Sequence, residues 1–401
     1  MRAALETAHS RFEQNPLFPE LDFPVIISSL RTFDFQQALH QIELPVELKL
    51  RAEQAGRRAP FAIQMSLIAV LEAWKQANLL ARDVNPEKIG IVIAGSNTTT
   101  QGYCYRVAQS LEGLSHLPPR YALHFMDTDH LGILSEAFGV FGESFTVGGA
   151  SASGNVAIIQ GCRLIQQAVL EVCLVVGLIA DLSPLEIQAF YNIDALGGRK
   201  FKDRPLEACR PFDKESEGFI LGQASGCLVL EEAGQDMPAF GYIEGMGFSL
   251  DGNRGAEPNH QGEIKAMQQA LQLAKLIPPQ IDYLNTHGSS SALGDAIEIA
   301  AIISVFGNSL EKFWLNATKG IIGHCLWSAG ILEAIATLLQ LNHAFLHPNM
   351  NLIRPIHPQC LFVGEHAVSV SANIAMSNAF YFGGINTSII FSKGHISERW
   401  H

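Results

Sequence analysis

The sequence predicts an α/β protein built from two similar halves, and three observations carry that reading. Short apolar strands ending in small residues alternate with helical segments, and the alternation runs through both halves of the chain. The strand candidates are continuously apolar rather than alternating, the pattern of a sheet covered on both faces. With 401 residues the chain exceeds one simple core, and 48% apolar against 16% charged residues supplies a large interior for two packed units.

In the first half the strands are placed in "IGIVIAGS", "SFTVGGA", "VCLVVGLIA" and "GCLVLEE". The second half offers "AFGYIEGMGFS", "DYLNTHGSS", "FWLNATKG" and the long pair "HAVSVSANIAMSNAFYFGGINTSIIF". Between them the periodicity predicts helices over Pro60–Ala77, Ala152–Val169, Gly262–Leu276, Ala292–Phe306 and Ser328–His343. The acidic, glycine-bearing stretch Glu231–Phe240 is the natural joint, dividing the chain into halves 1–237 and 238–401.

Composition excludes several classes. With 39 acidic against 27 basic residues the net charge is −12, which speaks against nucleic acid as a partner. An acidic protein partner needs a local basic patch, for which Arg106, Arg120 and Arg163 are candidates. The seven cysteines are scattered and never spaced as CxxC, so they predict buried small hydrophobes in a reducing compartment and no metal site. "MRAALETAHSRFEQ" has no signal-peptide core, and "VCLVVGLIA" is too short to span a bilayer. The expectation is a cytoplasmic protein without membrane contact.

Four segments carry chemistry. In "FTVGGASASGNVAII" a strand, a Gly-Gly turn and a helix place Ser151 at a helix N-terminus, where negative charge is favoured. A hydrolase elbow of the G-x-S-x-G type would be complete only with glycine at Ser153, which reads instead as a first-turn helical serine. In "NTHGSSSALGDAIEIAAI" His287 follows a strand and precedes a serine-rich turn into a helix; a structural histidine and a site histidine both fit. "NATKGIIGHCLWSAGILEAIATLLQL" sets Lys319 and His324 before a helix carrying Glu333, where Lys319 and Glu333 make either a buried ion pair or part of a site. In "SNAFYFGGINTSIIF", Gly383 and Gly384 allow close backbone approach to a ligand, or a plain hairpin.

In this order and spacing, from about Ile89 to Phe391, the segments resemble the β-ketoacyl synthases of fatty-acid and polyketide synthesis. That family reads T-V-D-T-A-C-S-S, R-P-F-D with D-G-F, T-H-G-T-x-T with G-D, K-S-x-x-G-H with G-A-A-G and E, and S-N-S-F-G-F-G-G-T-N. Here stand "TVGGASAS", "RPFDKESEGF", "THGSSSALGD", "TKGIIGHCLWSAGILE" and "SNAFYFGGIN". The resemblance implies a thiolase-like fold, two halves in a five-layer αβαβα arrangement, and a homodimer paired through the strand after "ESF". Family members open with a strand of the V-V-I-T-G-x-G type. "MRAALETAHSRF" looks like the segment after it, so that strand of the first sheet is expected to be absent.

The family's active cysteine falls on Ser151, while His287, His324, Lys319 and Glu333 match its histidines, lysine and glutamate. A serine hydroxyl is a far weaker nucleophile than a cysteine thiolate. Decarboxylation, by contrast, needs only N–H donors aimed at a thioester oxygen and a dry pocket. The resemblance therefore points to ketosynthase-like decarboxylases of polyketide β-branching, which convert a malonyl- to an acetyl-carrier protein without condensation. It implies an acyl carrier protein as partner, substrate carried on its phosphopantetheine, and no bound cofactor. It further implies an oxyanion hole at the backbone N–H groups of Ser151 and Phe382. Ser289 and Ser291 match threonines on the phosphopantetheine arm, Asn386 matches the motif's asparagine, and Tyr381 replaces a glycine beside the gating phenylalanine. A non-catalytic subunit of the chain-length-factor kind and an acyltransferase or hydrolase using Ser151 are the rival readings.

Overall fold

A computed structural model describes residues 1–14, 18, 20–30, 32–95, 101–234, 239–253, 255 and 257–395. Ser96 and residues 235–238 of the joint lie outside them, and of Tyr381 only the backbone is described. The first sheet comprises β1 (Ile89–Ala94), β2 (Phe145–Val147), β3 (Val172–Gly177) and β4 (Gly226–Glu231), in the order β2-β1-β3-β4. The second comprises β5 (Tyr242–Leu250), β6 (Tyr283–Asn285), β7 (Trp314–Asn316), β8 (Ile374–Tyr381) and β9 (Ile385–Ser392), in the order β7-β6-β8-β9-β5.

The two sheets superimpose in topology. β1 runs parallel to β2 and β3, with β4 antiparallel to β3. Likewise β6 runs parallel to β7 and β8, with β9 antiparallel to β8. In the second sheet β5 pairs with the far side of β9. Among the described residues no strand fills the matching place beside β4. The N-terminal residues instead form a small separate sheet that periodicity does not reveal. Phe12–Gln14 pairs antiparallel with Ile26–Ser28, which runs parallel to Leu221–Gly222.

Strand side chains decide the layering, because neighbours along a strand point to opposite faces. On β3, Val172, Leu174 and Val176 join a cluster with α1 (Val46–Gly56), α2 (Phe61–Gln76) and α3 (Thr128–Phe138). Cys173 and Val175 join a central cluster with α4 (Ser153–Gln166) and α8 (Ala329–His343). Ala375, Ile389 and Phe391 of the second sheet enter that same central cluster. Met376 and Ile390 face the outer helices α6 (His260–Ala274) and α7 (Ala292–Phe306). The order is helix, sheet, helix, sheet, helix, a five-layer thiolase-like arrangement.

The middle layer brings the two halves of the site together. At the crossing of α4 and α8, a Cβ added to Gly154 would lie 2.6 Å from the Ile331 nitrogen and 2.8 Å from Gly330 Cα. Backbone cannot yield there, so we expect Gly154→Ala to lower the unfolding free energy by about 1–3 kcal/mol, measured by chemical denaturation.

Candidate active site

Ser151 sits in a tight turn, Ala150–Ala152, between β2 and α4. Gly149 is extended, but Ala150 takes φ +46°, a left-handed conformation that costs a residue with a Cβ. Strain at the elbow is held by its neighbours, since the turn packs against both β8 and the turn Leu326–Ser328. Ser153 begins α4 and donates its hydroxyl to Ala150 O at 2.7 Å, so it completes the elbow.

Across the interface, His324 is fixed by backbone on three sides. Its N–H donates to Ile220 O at 2.7 Å, and its carbonyl accepts from Gly222 N–H at 3.1 Å, beside the small N-terminal sheet. Leu326, itself left-handed at φ +50°, donates its N–H to His324 Nδ1 at 3.1 Å. An Nδ1 that accepts carries no hydrogen, so Nε2 carries it and donates to Ser151 Oγ at 2.9 Å. In this tautomer His324 is a donor toward Ser151 and not its base.

His287 follows the same logic. The buried Lys319 ammonium has three donors, and they meet His287 O at 2.6 Å, His287 Nδ1 at 3.4 Å and a Glu333 oxygen. A cation on Nδ1 leaves the hydrogen on Nε2. The two imidazoles lie edge to face with centroids 5.7 Å apart. Both are held well below the ordinary histidine pKa, first by burial and then by the Lys319 charge, so both are neutral N–H donors at pH 7. Burial likewise pushes the Glu333 carboxyl up, against the pull of Lys319.

Two carboxylates that the sequence reading did not assign hold His287 in place. Glu298 accepts from the N–H groups of His287 and Gly288 at 2.7 and 2.8 Å. Asp295 accepts from Ser289 N–H at 3.0 Å and from Phe212 N–H at 2.7 Å, the latter aimed by a left-handed Phe212 at φ +62°. The available signal was two acids three residues apart in the otherwise apolar "ALGDAIEIAAI", one turn on one helix face.

The remaining candidates separate. Ser289 is buried, and its hydroxyl has no partner among the described residues. Ser291 caps α7, accepting from Gly294 N–H at 3.4 Å. Asn386 donates to Asp251 at 2.8 Å and to Gly384 O at 3.3 Å, which ties down the turn of Gly383 and Gly384, both at positive φ. Phe382 stacks on Phe190 of α5 (Pro184–Asn192) at 6.4 Å; Phe190 meets Phe219 at 5.3 Å, and Phe219 meets His324 at 5.3 Å. The histidine donors thus adjoin an aromatic wall. Arg106, a basic-patch candidate, is instead committed to the buried Asp181 through two bonds at 2.8 and 3.1 Å. Among the described residues no cluster of His, Cys, Asp or Glu is arranged to hold a metal, and no helix is long and apolar enough to cross a membrane.

Comparison with known proteins finds matches over most of the chain. Residues 48–236 match the β-ketoacyl synthase N-terminal domain and residues 240–353 its C-terminal domain. The chain is 38% identical to the polyketide biosynthesis malonyl-ACP decarboxylase PksF of Bacillus subtilis, over 83% of this chain and 80% of that protein. It is 29% identical to the 3-oxoacyl-[acyl-carrier-protein] synthase 2 of Synechocystis, over 91% and 86% respectively. A β-ketoacyl synthase structure from Burkholderia phymatum superimposes with a TM-score of 0.85 at 24% identity, covering 98% of this chain and 94% of that one.

Proposed function

The chain belongs to the β-ketoacyl synthase family, and from that premise we propose that it decarboxylates a malonyl thioester on an acyl carrier protein, without condensation. The observation that carries the reading is the pair of neutral imidazoles, each with Nε2–H turned out by a donor on Nδ1, beside a serine where the family has its cysteine. The similarity to a malonyl-ACP decarboxylase supports it.

The chemistry follows from those donors. As the carbon–carbon bond to the carboxylate breaks, its electron pair moves onto the thioester as an enolate, and CO2 leaves. The negative charge gathers on the thioester oxygen, where the N–H groups of His287 and His324 stabilise it. The enolate carbon then takes a proton from water, giving an acetyl thioester. Lys319 is spent on Glu333 and on His287, so it tunes the donors rather than gripping the leaving carboxylate. Ser151 Oγ accepts the His324 hydrogen in the free site, and substrate oxygen takes over that donor on binding.

A serine acyltransferase would need His324 as a base, and its backbone-fixed tautomer opposes that role. A purely structural subunit gives no reason for burying Lys319, Glu333 and two histidines in one network. The carrier brings the substrate on its phosphopantetheine. The active form is a homodimer joined through β2, an outer strand with partly exposed Phe145, Thr146 and Val147. The test is CO2 release from malonyl-loaded carrier protein; a well-folded protein that releases none would refute the reading.

A further inference from the structure

We propose that Thr318, held by His347, is a positioning residue of the site: its hydroxyl keeps the Lys319 ammonium on Nδ1 of His287. This rests on the decarboxylase reading above, in which the His287 hydrogen must stay on Nε2. The ladder between β6 and β7 ends with Asn285 opposite Asn316, followed by one more backbone bond, Thr286 N–H to Asn316 O at 2.9 Å. Beyond it a side-chain contact continues the tie, with Thr318 Oγ1 2.8 Å from the Asn285 amide. That contact joins the residue just before Lys319 to the strand end that carries His287. Of the Lys319 contacts to His287, the one to the carbonyl oxygen is short at 2.6 Å, and the one to Nδ1 is at the edge of bonding range at 3.4 Å. A small shift of Lys319 therefore releases Nδ1 first. The imidazole is then free to take either tautomer, and part of the population loses the N–H aimed at substrate oxygen.

Counting hydrogens shows how His347 fixes the tie. His347 Nδ1 lies 2.9 Å from Pro348 O, which only accepts, so Nδ1 carries a hydrogen. Burial pulls the His347 pKa down to about 4, so the ring is neutral at pH 7 and Nε2 is bare. Nε2 therefore accepts the Thr318 hydroxyl at 3.0 Å. That hydroxyl has one hydrogen, so toward Asn285 it can only accept. Asn285 then presents its NH2 to Thr318 and its oxygen to the Ser377 hydroxyl, 3.1 Å away. The chain from Ser377 through Asn285 and Thr318 to His347 is satisfied at every link, and all four residues are buried. His347 is itself anchored, its N–H donating to Gln340 of α8 at 2.9 Å and its carbonyl accepting from Asn316 at 3.0 Å. The same helix carries Glu333, the other partner of Lys319.

Two readouts on the same variants test this. Nitrogen NMR of protein labelled with 15N-histidine reports which ring nitrogen of His287 carries the hydrogen, without substrate; steady-state CO2 release gives kcat and KM. Thr318→Val keeps the shape and removes the hydroxyl, so His287 divides between two tautomers and kcat falls about tenfold with KM little changed. Thr318→Ser restores the hydroxyl, and with it the single Nε2–H tautomer and most of kcat. His347→Asn keeps a donor for Pro348 O but removes the acceptor for Thr318, and it moves both readouts as valine does. Thermal melts show which variants are folded, and the His347 variant keeps the test open if valine unfolds the protein. An unchanged His287 tautomer in a folded Thr318→Val or His347→Asn, or a serine variant no better than valine, overturns the proposal. Absence of CO2 release from wild type with this tautomer pattern intact would count against the decarboxylase reading alone.

Discussion

His287→Ala and His324→Ala each slow decarboxylation of a malonyl-loaded carrier by about 10²–10³-fold. Each substitution removes one N–H aimed at the oxygen that becomes negative as CO2 departs. Because that charge exists only in the transition state, the loss falls on kcat, with KM changed much less. The two losses do not add, since the donors act on a single oxygen. Steady-state rates of CO2 release from the two single variants and the double variant check this. Equal activity in either single variant would remove that histidine from the chemistry.

Lys319→Ala costs about 3–5 kcal/mol of stability, the second large effect, because it strands Glu333 in a fully buried position. The same change deprives His287 Nδ1 of its donor, freeing the imidazole to take the other tautomer. Pairing Lys319→Met with Glu333→Leu separates the two consequences. An apolar pair of similar volume restores most of the stability, as replaced buried ion pairs often do. Activity stays low in the double variant, because the apolar pair supplies no donor to Nδ1. Denaturation midpoints and CO2 release measured on the same preparations distinguish these outcomes. Recovery of both together would make Lys319 purely structural.

Much of this site was legible in the sequence because its side chains carry their own chemistry. His287, Lys319, His324 and Glu333 stand in motifs whose order survives, and the structure brings them within hydrogen-bond reach of one another or of Ser151. The helices were legible for a similar reason: Ala292–Phe306 is apolar at helical spacing, and the observed α7 has those bounds. Backbone groups carry no such signature. Nothing in the letters shows Leu326 turning its N–H onto Nδ1, yet that one bond decides whether His324 donates or accepts. Pairing at long range was equally hidden: Ile27 meets Leu221 in a two-residue match that no local periodicity announces. Asn386 and Ser291 look like ligand groups in sequence, but spend their hydrogen bonds on a turn and a helix cap.

The most direct measurement is the intact mass of malonyl-loaded carrier protein after incubation with wild type and with Ser151→Ala. The account predicts that both convert malonyl-carrier to acetyl-carrier by loss of CO2, with the alanine variant within a few-fold of wild type and no adduct on the enzyme. An unchanged carrier mass with folded wild type, free malonate, or acyl transfer to Ser151 that alanine abolishes would contradict it.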